Sequence, residues 1–405
     1  MPSRRAVLQA AGATLSTTML SGCALNGGSE QSGVTVGLLG PTSGALSYAG
    51  DAIMNSAEVL FDTDAGQFED VDFEWVMKNT EGDPNTAVSS AEQLVQQDEV
   101  DILSGAAISD VGSAVANFAF NQNVPYVPTI PTSISLTGAE CKRTTFRLVP
   151  HTGQTSRAAG EWAANNLGQE AYMILPDYEY GQTVDEVQTA SIEANDGSIV
   201  KRSTLPVGHN EWGSVIDDIN STSPDYVFME MTSTGVISFL AQAANRGLSV
   251  PIAGQSLLPV LTGQLTGDQV NSLPDLYYTG MRYHYQIDNQ RNTNYVNGWE
   301  SAHGGVPGVL AGMTYGGLEF LAQVMAEVEE ISTDSFIETA EGFTAETAIG
   351  TSDIRACDHQ GATPLFIGQL SGVDEEAESG EYDLENPVET APLLPDCTDT
   401  GCSFE

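Results

Sequence analysis

Lysine is rare in this sequence, and basic residues as a whole are few. The 405 residues include 13 lysines and arginines against 55 aspartates and glutamates, which gives a formal net charge of −42. So strong a negative charge repels phosphates and anionic lipid headgroups. The composition therefore excludes nucleic acid as a partner and makes an anionic lipid surface a poor one.

The acidic residues are spread along the chain from Glu30 to Glu405, so the folded surface itself has to carry them. This composition resembles that of extreme halophiles. In molar salt the Debye length falls to ~3 Å, and the mutual repulsion of surface carboxylates is screened. We therefore predict a halophilic protein whose stability falls when salt is diluted.

A long apolar run is also missing near the N terminus, where residues 6–20 form a short and weakly apolar stretch. It is shorter than the ~20 residues that a bilayer-spanning helix needs. The segment does contain Arg4-Arg5 followed by apolar residues, which resembles a twin-arginine signal, and small residues before Cys23, which resemble a lipobox. Either feature alone is more often incidental, but their order and spacing together favour an export and anchoring signal.

This signal predicts where the protein works. We expect residues 1–22 to be a twin-arginine signal peptide, Cys23 to become a lipidated N terminus, and residues 23–33 to be a flexible tether. Loss of Arg4 and Arg5 changes the formal charge of the mature chain to −44. The expected location is extracytoplasmic, on the cell surface, with the lipid on Cys23 anchoring the protein to the cell membrane.

Cysteine is scarce, with five in the chain. If Cys23 carries the lipid, the other four can form two disulfides outside the cytoplasm. The short spacing of Cys397 and Cys402 favours a bridge between them, which leaves Cys141 to pair with Cys357, although spacing does not prove this pairing. Zinc is the rival interpretation, but the sequence contains no Cys-x-x-Cys and its five histidines are scattered. Neither a metal nor a cofactor is expected.

Strand and helix patterns alternate along the chain, which predicts an α/β fold with parallel sheets covered on both faces. About 380 mature residues exceed what one core usually holds, so two doubly wound lobes are expected. The elements predicted before Pro150 are 34–39, 50–64, 71–77, 85–97, 101–103, 109–121 and 124–128. Those predicted after it are 156–167, 171–175, 181–194, 198–205, 211–220, 226–229, 234–246, 251–253, 276–279, 292–301, 309–329, 333–341 and 364–370. The acidic stretch 373–389 is expected to be mobile or solvated.

Several sequence landmarks occur in a characteristic order. They are Gly37-Leu38-Leu39-Gly40-Pro41-Thr42-Ser43-Gly44, Tyr48-Ala49-Gly50, Asp101-Ile102-Leu103-Ser104-Gly105, Val124-Pro125-Tyr126-Val127-Pro128, Phe146-Arg147, Asp177-Tyr178-Glu179-Tyr180-Gly181, and Ala241-Gln242-Ala243 through Gly247-Leu248. In this order the chain resembles the type I periplasmic binding proteins of the branched-chain amino acid family, the lipoprotein receptors of ABC importers. The likeness extends from about residue 34 to residue 370.

The resemblance implies two lobes joined by a hinge of three chain crossings, which close over a small polar ligand. The lobes would be discontinuous, with residues 34–150 and 280–355 in the first and residues 151–279 and 356–371 in the second. Residues 372–405 would be an acidic C-terminal extension. The implied partners are the small-molecule ligand and the permease and ATPase subunits of an ABC importer.

Ligands of open parallel sheets bind beyond the carboxyl ends of the strands, where helix N-termini point positive partial charge at them. Ser109 follows one such strand and begins a predicted helix, so its hydroxyl and the next amides could hold an anion; a plain N-cap is the alternative. The resemblance assigns carboxylate contacts to Thr132 and, through their carbonyls, to Pro131 and Ile130. An ordinary proline-rich turn is the other interpretation of this loop.

The same resemblance places Tyr48 and Tyr180 on opposite walls of the pocket, with burial in the core as the alternative for each. Thr232 and Ser233 would line the cleft at the end of a strand. Amino-acid binders of the family place a glutamate where this chain has Gln255, and an amide does not supply the negative charge that neutralises a ligand ammonium. Glu230 is a candidate substitute, so the ligand is expected to be an amino acid or a related amide or carboxylate.

The favoured function is therefore binding and delivery of a small solute, without bond chemistry. A ligand-sensing receptor subunit of the same fold is a second hypothesis. A secreted enzyme is a third, but the sequence has no Gly-x-Ser-x-Gly, no His-Glu-x-x-His and no Gly-x4-Gly-Lys-Ser/Thr motif.

Overall fold

A computed structural model of the chain describes residues 33–44, 46–63, 71–231, 234–374 and 379–404. The predicted signal peptide, the tether, Cys23, Thr232 and Ser233 lie outside these described residues.

The first sheet has four parallel strands in the order β2-β1-β3-β4. Its strands and the helices that connect them are β1 Val34–Gly40, α1 Ser47–Phe61, β2 Phe73–Asn79, α2 Pro84–Gln96, β3 Ile102–Gly105, α3 Ser109–Gln122 and β4 Tyr126–Pro128. Val34, Val36 and Leu38 of β1 are fully buried because this strand lies inside the sheet, with helices packed against it. Asp83 begins α2 as an N-cap, since its side chain accepts a hydrogen bond from the Thr86 amide at 2.9 Å.

The second sheet has seven strands in the order β14-β13-β9-β8-β7-β5-β6, and the pairs from β5 to β9 are all parallel. The elements of this part are α4 Thr152–Asn166, β5 Glu170–Pro176, α5 Glu179–Ala194, β6 Ser198–Leu205, α6 Gly213–Thr222, β7 Tyr226–Met229, α7 Thr234–Arg246, β8 Ile252–Gly254, α8 Pro259–Thr262, α9 Gly267–Ser272, β9 Leu276–Met281, β13 Phe366–Asp374 and β14 Ser379–Leu384. The last two strands are antiparallel to their neighbours.

Between β9 and β13 the chain returns to the first sheet. This return consists of α10 Gln290–His303, α11 Val309–Glu327, α12 Thr333–Ala340, β10 Thr344–Thr347, β11 Gly350–Ile354 and β12 Gly361–Ala362. Helix α11 packs against α1, where the Ser56 hydroxyl donates to the Ala311 carbonyl at 2.9 Å. Among the described residues α11 is the one helix long and apolar enough to cross a membrane, but 78% of it is buried in the protein. It is therefore a core helix.

The chain thus crosses between the two sheets three times before β14: between β4 and α4, between β9 and α10, and between β11 and β13, a segment that contains β12. The first and third crossings are hydrogen-bonded to each other through the amides of Arg147 and Gly361. Arg282 joins the second crossing to the first, because its Nε donates to the Pro150 carbonyl at 2.9 Å.

The strands and helices predicted from the sequence are all present in the predicted order, but helices α8 and α9 and strands β10, β11 and β12 were not predicted. The prediction that residues 373–389 are mobile or solvated is wrong for part of that stretch, because Ser379–Leu384 is a strand paired with β13. Tyr382 accounts for this strand in spite of its acidic neighbours. Its side chain is 2% exposed, and its hydroxyl donates to the Leu257 carbonyl at 2.8 Å.

The predicted disulfide pairing is also wrong. The structure joins Cys141 to Cys402 and Cys357 to Cys397, with Cα–Cα distances of 5.5 and 5.9 Å. After β14 the chain runs back along the third crossing, where Val388 and Leu365 exchange two backbone hydrogen bonds. This course brings Cys402 beside the loop after β4 and Cys397 beside the segment between β11 and β12, and so separates them from each other.

Candidate functional site

Ser109 and the loop after β4 meet at the carboxyl end of the first sheet. The Ser133 amide donates to Ser109 Oγ at 3.2 Å, so Ser109 holds this loop in place. Ile108, not Ser109, is the N-cap of α3. The N-cap interpretation of Ser109 is therefore wrong, because its hydroxyl accepts from the loop and not from its own helix.

The same loop contacts the first turn of α4, which belongs to the other side of the first crossing. The Thr132 carbonyl accepts from the amide of Thr152 at 3.0 Å and from its hydroxyl at 3.2 Å. Pro131 packs on α3, where a Cβ at Gly112 would lie 2.7 Å from Pro131 Cγ. Ile130 is 7% exposed and belongs to the core, whereas Thr132 stays partly exposed.

A second polar cluster lies at the carboxyl ends of β5, β7 and β8. The backbone amide of Gln255 donates to both carboxylate oxygens of Glu230 at 3.3 Å. The side-chain Nε2 of Gln188 donates to one of these oxygens at 3.2 Å. The Tyr180 hydroxyl is hydrogen-bonded within this cluster to Ser256 and Glu230. Glu230 is fully buried, and this burial raises the pKa of its carboxyl to about 7.

The first turn of α4 connects the two clusters. Its Thr152 contacts the loop at Thr132, and its Ser156 accepts from Gln255 Nε2 at 3.0 Å. Of the predicted ligand residues, the structure thus brings Ser109, Ile130, Pro131 and Thr132 together in one cluster, and Tyr180 and Gln255 in the other. Tyr48 is 60% exposed on α1 and has no hydrogen bond to either cluster among the described residues.

Arg147 was missed as a site residue, although it stands in a predicted landmark. It is fully buried, and its Nη1 donates to the carbonyls of Ser133 at 2.7 Å and Pro131 at 3.3 Å. Its Nε donates to Gln360 Oε1 at 2.8 Å. Its position between the apolar residues Phe146 and Leu148 could have indicated this role. A charged residue in an apolar run is expected to be buried and therefore to need hydrogen-bond partners.

Replacement of Glu230 by Gln should make stability less dependent on pH. Because the folded state raises this carboxyl pKa to about 7, the folded protein binds the proton more tightly than the unfolded chain does. The contribution of Glu230 to stability is therefore most favourable below about pH 4.5 and declines as pH rises to 7, by up to about 3 kcal/mol. Urea unfolding of wild type and Glu230→Gln at pH 4.5 to 8, in constant molar salt, measures this difference. The exposed Glu300→Gln is the matched control, and a pH-independent difference between Glu230→Gln and wild type would contradict the assignment.

A cavity of about 760 Å³ lies away from both clusters, lined by residues that include Ile349, Pro364, Phe366 and Leu384. None of the predicted ligand residues that the structure describes lines it. Its polar lining consists mainly of acidic and amide side chains, among them Asp288, Asp353 and Glu389, whereas hydroxyl and loop-amide donors lie at the strand ends.

The family model described as periplasmic binding protein matches residues 33–377, which is most of the chain. The chain belongs to the periplasmic binding protein family. The match spans both sheets and both polar clusters, so the predicted resemblance is confirmed at the level of the family. No curated protein matches the chain.

Solved structures of other periplasmic binding proteins have the same fold. A leucine-, isoleucine-, valine-, threonine- and alanine-binding protein from Brucella ovis, in a closed conformation, is 18% identical, covers 92% of this chain and 98% of its own, and gives a TM-score of 0.77. An ABC transporter substrate-binding protein from Sphaerobacter thermophilus is 21% identical, with coverage of 88% and 98% and a TM-score of 0.77. A solute-binding protein of an ABC transporter from Rhodopseudomonas palustris BisB5, in complex with 3,4-dihydroxybenzoic acid, is 20% identical, with coverage of 88% and 97% and a TM-score of 0.73.

These similarities confirm the predicted fold class for this periplasmic binding protein. It is an α/β protein of the two-lobed type, with largely parallel sheets and the three crossings described above. The family and these structures are those of transport proteins that bind solutes, and they imply an extracytoplasmic location.

Proposed function

We propose that this protein is a solute-binding lipoprotein that delivers a small polar ligand to the permease and ATPase subunits of an ABC importer. The observation that carries the proposal is the family match over residues 33–377, with two clusters of polar groups at the carboxyl ends of the sheets. The ligand class is a branched-chain or other amino acid, or a related amide or carboxylate.

The proposed mechanism is closure of two lobes around the ligand by hinge motion. Residues 34–150 with 280–355 form one lobe, and residues 151–279 with 356–371 form the other; β14 extends the sheet of the second. The separation of the strands into two sheets supports this division, and the contact between Thr132 and Thr152 joins the two lobes beside the first crossing.

The export signal and the acidic composition complete the proposal. A twin-arginine signal peptide would export the folded protein, and lipidated Cys23 would anchor it to the membrane. The formal charge of −42 supports a protein adapted to molar salt.

The ligand is proposed to carry a carboxylate. Free loop amides and the hydroxyls of Ser109 and Thr132 are donors that suit such a group. The neighbouring structures bind amino acids in one case and 3,4-dihydroxybenzoic acid in another, and both ligand types contain a carboxylate. Among the described side chains of the second cluster Glu230 is the one carboxylate, and its oxygens already accept from Gln188 and Gln255.

A thermal-shift screen in molar salt tests the function. L-leucine, L-leucinamide, benzoate and benzamide form two pairs that differ in the carboxylate. A ligand that binds only the folded state raises the melting temperature by mass action, so at least one carboxylate should raise it in a concentration-dependent way. If no amino acid, amide or short carboxylate shifts the melting temperature, the proposed function is wrong.

Substitution of the first cluster should weaken binding without unfolding the protein. Thr132→Ala removes a hydroxyl from the loop after β4, and Ser109→Ala removes the hydroxyl that holds this loop in place. We expect each substitution to lower the affinity for a carboxylate ligand about tenfold, which corresponds to the loss of one hydrogen bond to a charged group. Isothermal calorimetry at high salt measures the change. Ser113→Ala, one turn further along α3, is the matched control. Unchanged affinity in both variants would place the ligand elsewhere.

A further inference from the structure

Arg147 contacts the loop proposed to bind the ligand, yet it lies behind that loop. From its geometry we infer that Arg147 is a positioning residue, which turns the backbone amides of Thr132 and Ile134 away from itself and leaves them free to bind a ligand carboxylate. This inference rests on the proposed function.

The orientation follows from peptide geometry. In a trans peptide unit the carbonyl and the following N–H point in opposite directions. The Pro131 carbonyl accepts from Arg147 at 3.3 Å, so the Thr132 N–H points away from the guanidinium. The Ser133 carbonyl accepts at 2.7 Å, so the Ile134 N–H also points away. One side chain thus fixes two peptide units of the loop.

The backbone amides of Thr132 and Ile134 differ from the Ser133 amide that lies between them in the chain. The Ser133 N–H donates to Ser109 Oγ, whereas the amides of Thr132 and Ile134 have no hydrogen-bond partner within the described part of the chain. Both residues are partly exposed, so a solute can reach them. Backbone amides in protein structures are nearly always paired, and two free ones in a single loop are therefore available donors.

The positive charge of Arg147 also favours the binding of an anion at the loop. Its hydrogen-bond partners are the oxygens of Pro131, Ser133, Thr137 and Gln360, and no carboxylate bonds to it among the described residues. Burial lowers its pKa to about 9, so the guanidinium is still charged at neutral pH. Asp358 stabilises this charge without a hydrogen bond and Arg282 opposes it; an anion on the far side of the loop would further offset the cost of the buried cation.

Arg147 also connects the loop to the crossings between the sheets. Gln360, which accepts from its Nε, lies on the third crossing and donates to the Val149 carbonyl on the first at 3.1 Å. An anion bound at the loop would therefore interact, through one buried side chain, with two of the three segments that join the lobes.

Arg147→Lys keeps the positive charge but loses the planar fork that holds two carbonyls. We expect its affinity for the carboxylates L-leucine and benzoate to fall at least tenfold, and its affinity for L-leucinamide and benzamide to change less than about threefold. Arg157→Lys is the matched control, because Arg157 also donates to a backbone carbonyl, that of Leu393 at 3.0 Å, but does not contact the loop. Equal losses for a carboxylate and its amide, or no loss for either, would overturn the inference.

A second measurement needs neither a ligand nor a folded variant. Amide hydrogen exchange of the ¹⁵N-labelled wild type, followed by NMR in molar salt, should show fast exchange at Thr132 and Ile134 and slower exchange at Ser133. Protection of Thr132 and Ile134 equal to that of Ser133 would show that these amides are not free and would refute the role of Arg147. Failure of all four compounds to bind wild type would instead count against the proposed function, and exchange would still decide the inference.

Discussion

Dilution from molar to millimolar salt should lower the melting temperature by about 10 °C or more. The chain carries 55 acidic and 13 basic residues. Several cations that solvent reaches are already paired, as in Lys78–Asp98 at 2.8 Å and Lys201–Asp218 at 2.6 Å, and the buried arginines donate to carbonyls. Few cations are left to offset the surface carboxylates, so their repulsion is limited mainly by salt.

The size of the effect follows from the screening length. The Debye length is about 3 Å at 1 M salt and about 30 Å at 0.01 M, so repulsion between neighbouring carboxylates appears only on dilution. Unfolding of about 380 residues has an entropy of about 0.8 kcal/mol/K, so a loss of about 8 kcal/mol corresponds to about 10 °C in melting temperature. Calorimetric melting at 2, 0.5 and 0.05 M NaCl measures the shift.

Sucrose in place of NaCl is the control for this experiment. It stabilises compact states by exclusion from the protein surface and does not screen charge. Sucrose at low salt should therefore recover only a small part of the lost melting temperature. A melting temperature that is independent of NaCl, or fully restored by sucrose, would show that charge repulsion does not control the stability of this protein.

Local patterns predicted the elements that depend on neighbouring residues in the chain. Strand Ser198–Leu205, strand Tyr226–Met229 and helix Thr234–Arg246 have the bounds that the sequence predicts. Their periodicity is a property of a few consecutive residues. The strand ends, and with them the region of the candidate site, could be located for the same reason.

Contacts between distant residues were not predictable in this way. The bridge between Cys141 and Cys402 joins residues 261 positions apart, and nothing in the local sequence of either cysteine specifies its partner. Glu230 resembles any other acidic residue of the chain until β5, β7 and β8 assemble around it. β14 was missed because its acidic composition hides the buried Tyr382, whose partner Leu257 is far away in the sequence.

Removal of the Cys141–Cys402 bridge should both destabilise the protein and let its lobes open further. Residues 385–404, here called the C-terminal strap, follow β14 of the second sheet and run beside the third crossing, where Thr390 Oγ1 donates to the Thr363 carbonyl at 2.8 Å. The strap is then joined to the third crossing by the Cys357–Cys397 bridge and to the first-sheet side by the Cys141–Cys402 bridge. It is therefore a fourth connection between the lobes, and a covalent one.

The double variant Cys141→Ser/Cys402→Ser releases the end of the strap. Loss of a native disulfide typically costs about 2–5 kcal/mol, and the cost grows with the length of the closed loop. Because Cys357 and Cys397 are only 40 positions apart, Cys357→Ser/Cys397→Ser should cost about 1–2 kcal/mol less. Urea unfolding in molar salt compares the two pairs.

Small-angle scattering of the ligand-free variants tests the effect on opening. If the strap restrains the lobes, the radius of gyration of Cys141→Ser/Cys402→Ser should exceed that of wild type, and ligand affinity should fall, because closure then starts from a more open state. Phe404, whose ring lies 4.3 Å from that of His359, provides a second probe: Phe404→Ala removes a packing contact of the strap and keeps both disulfides. A larger radius in the disulfide variant but not in Phe404→Ala would assign the restraint to the covalent bond. An unchanged radius in both would mean that the three crossings alone set the opening.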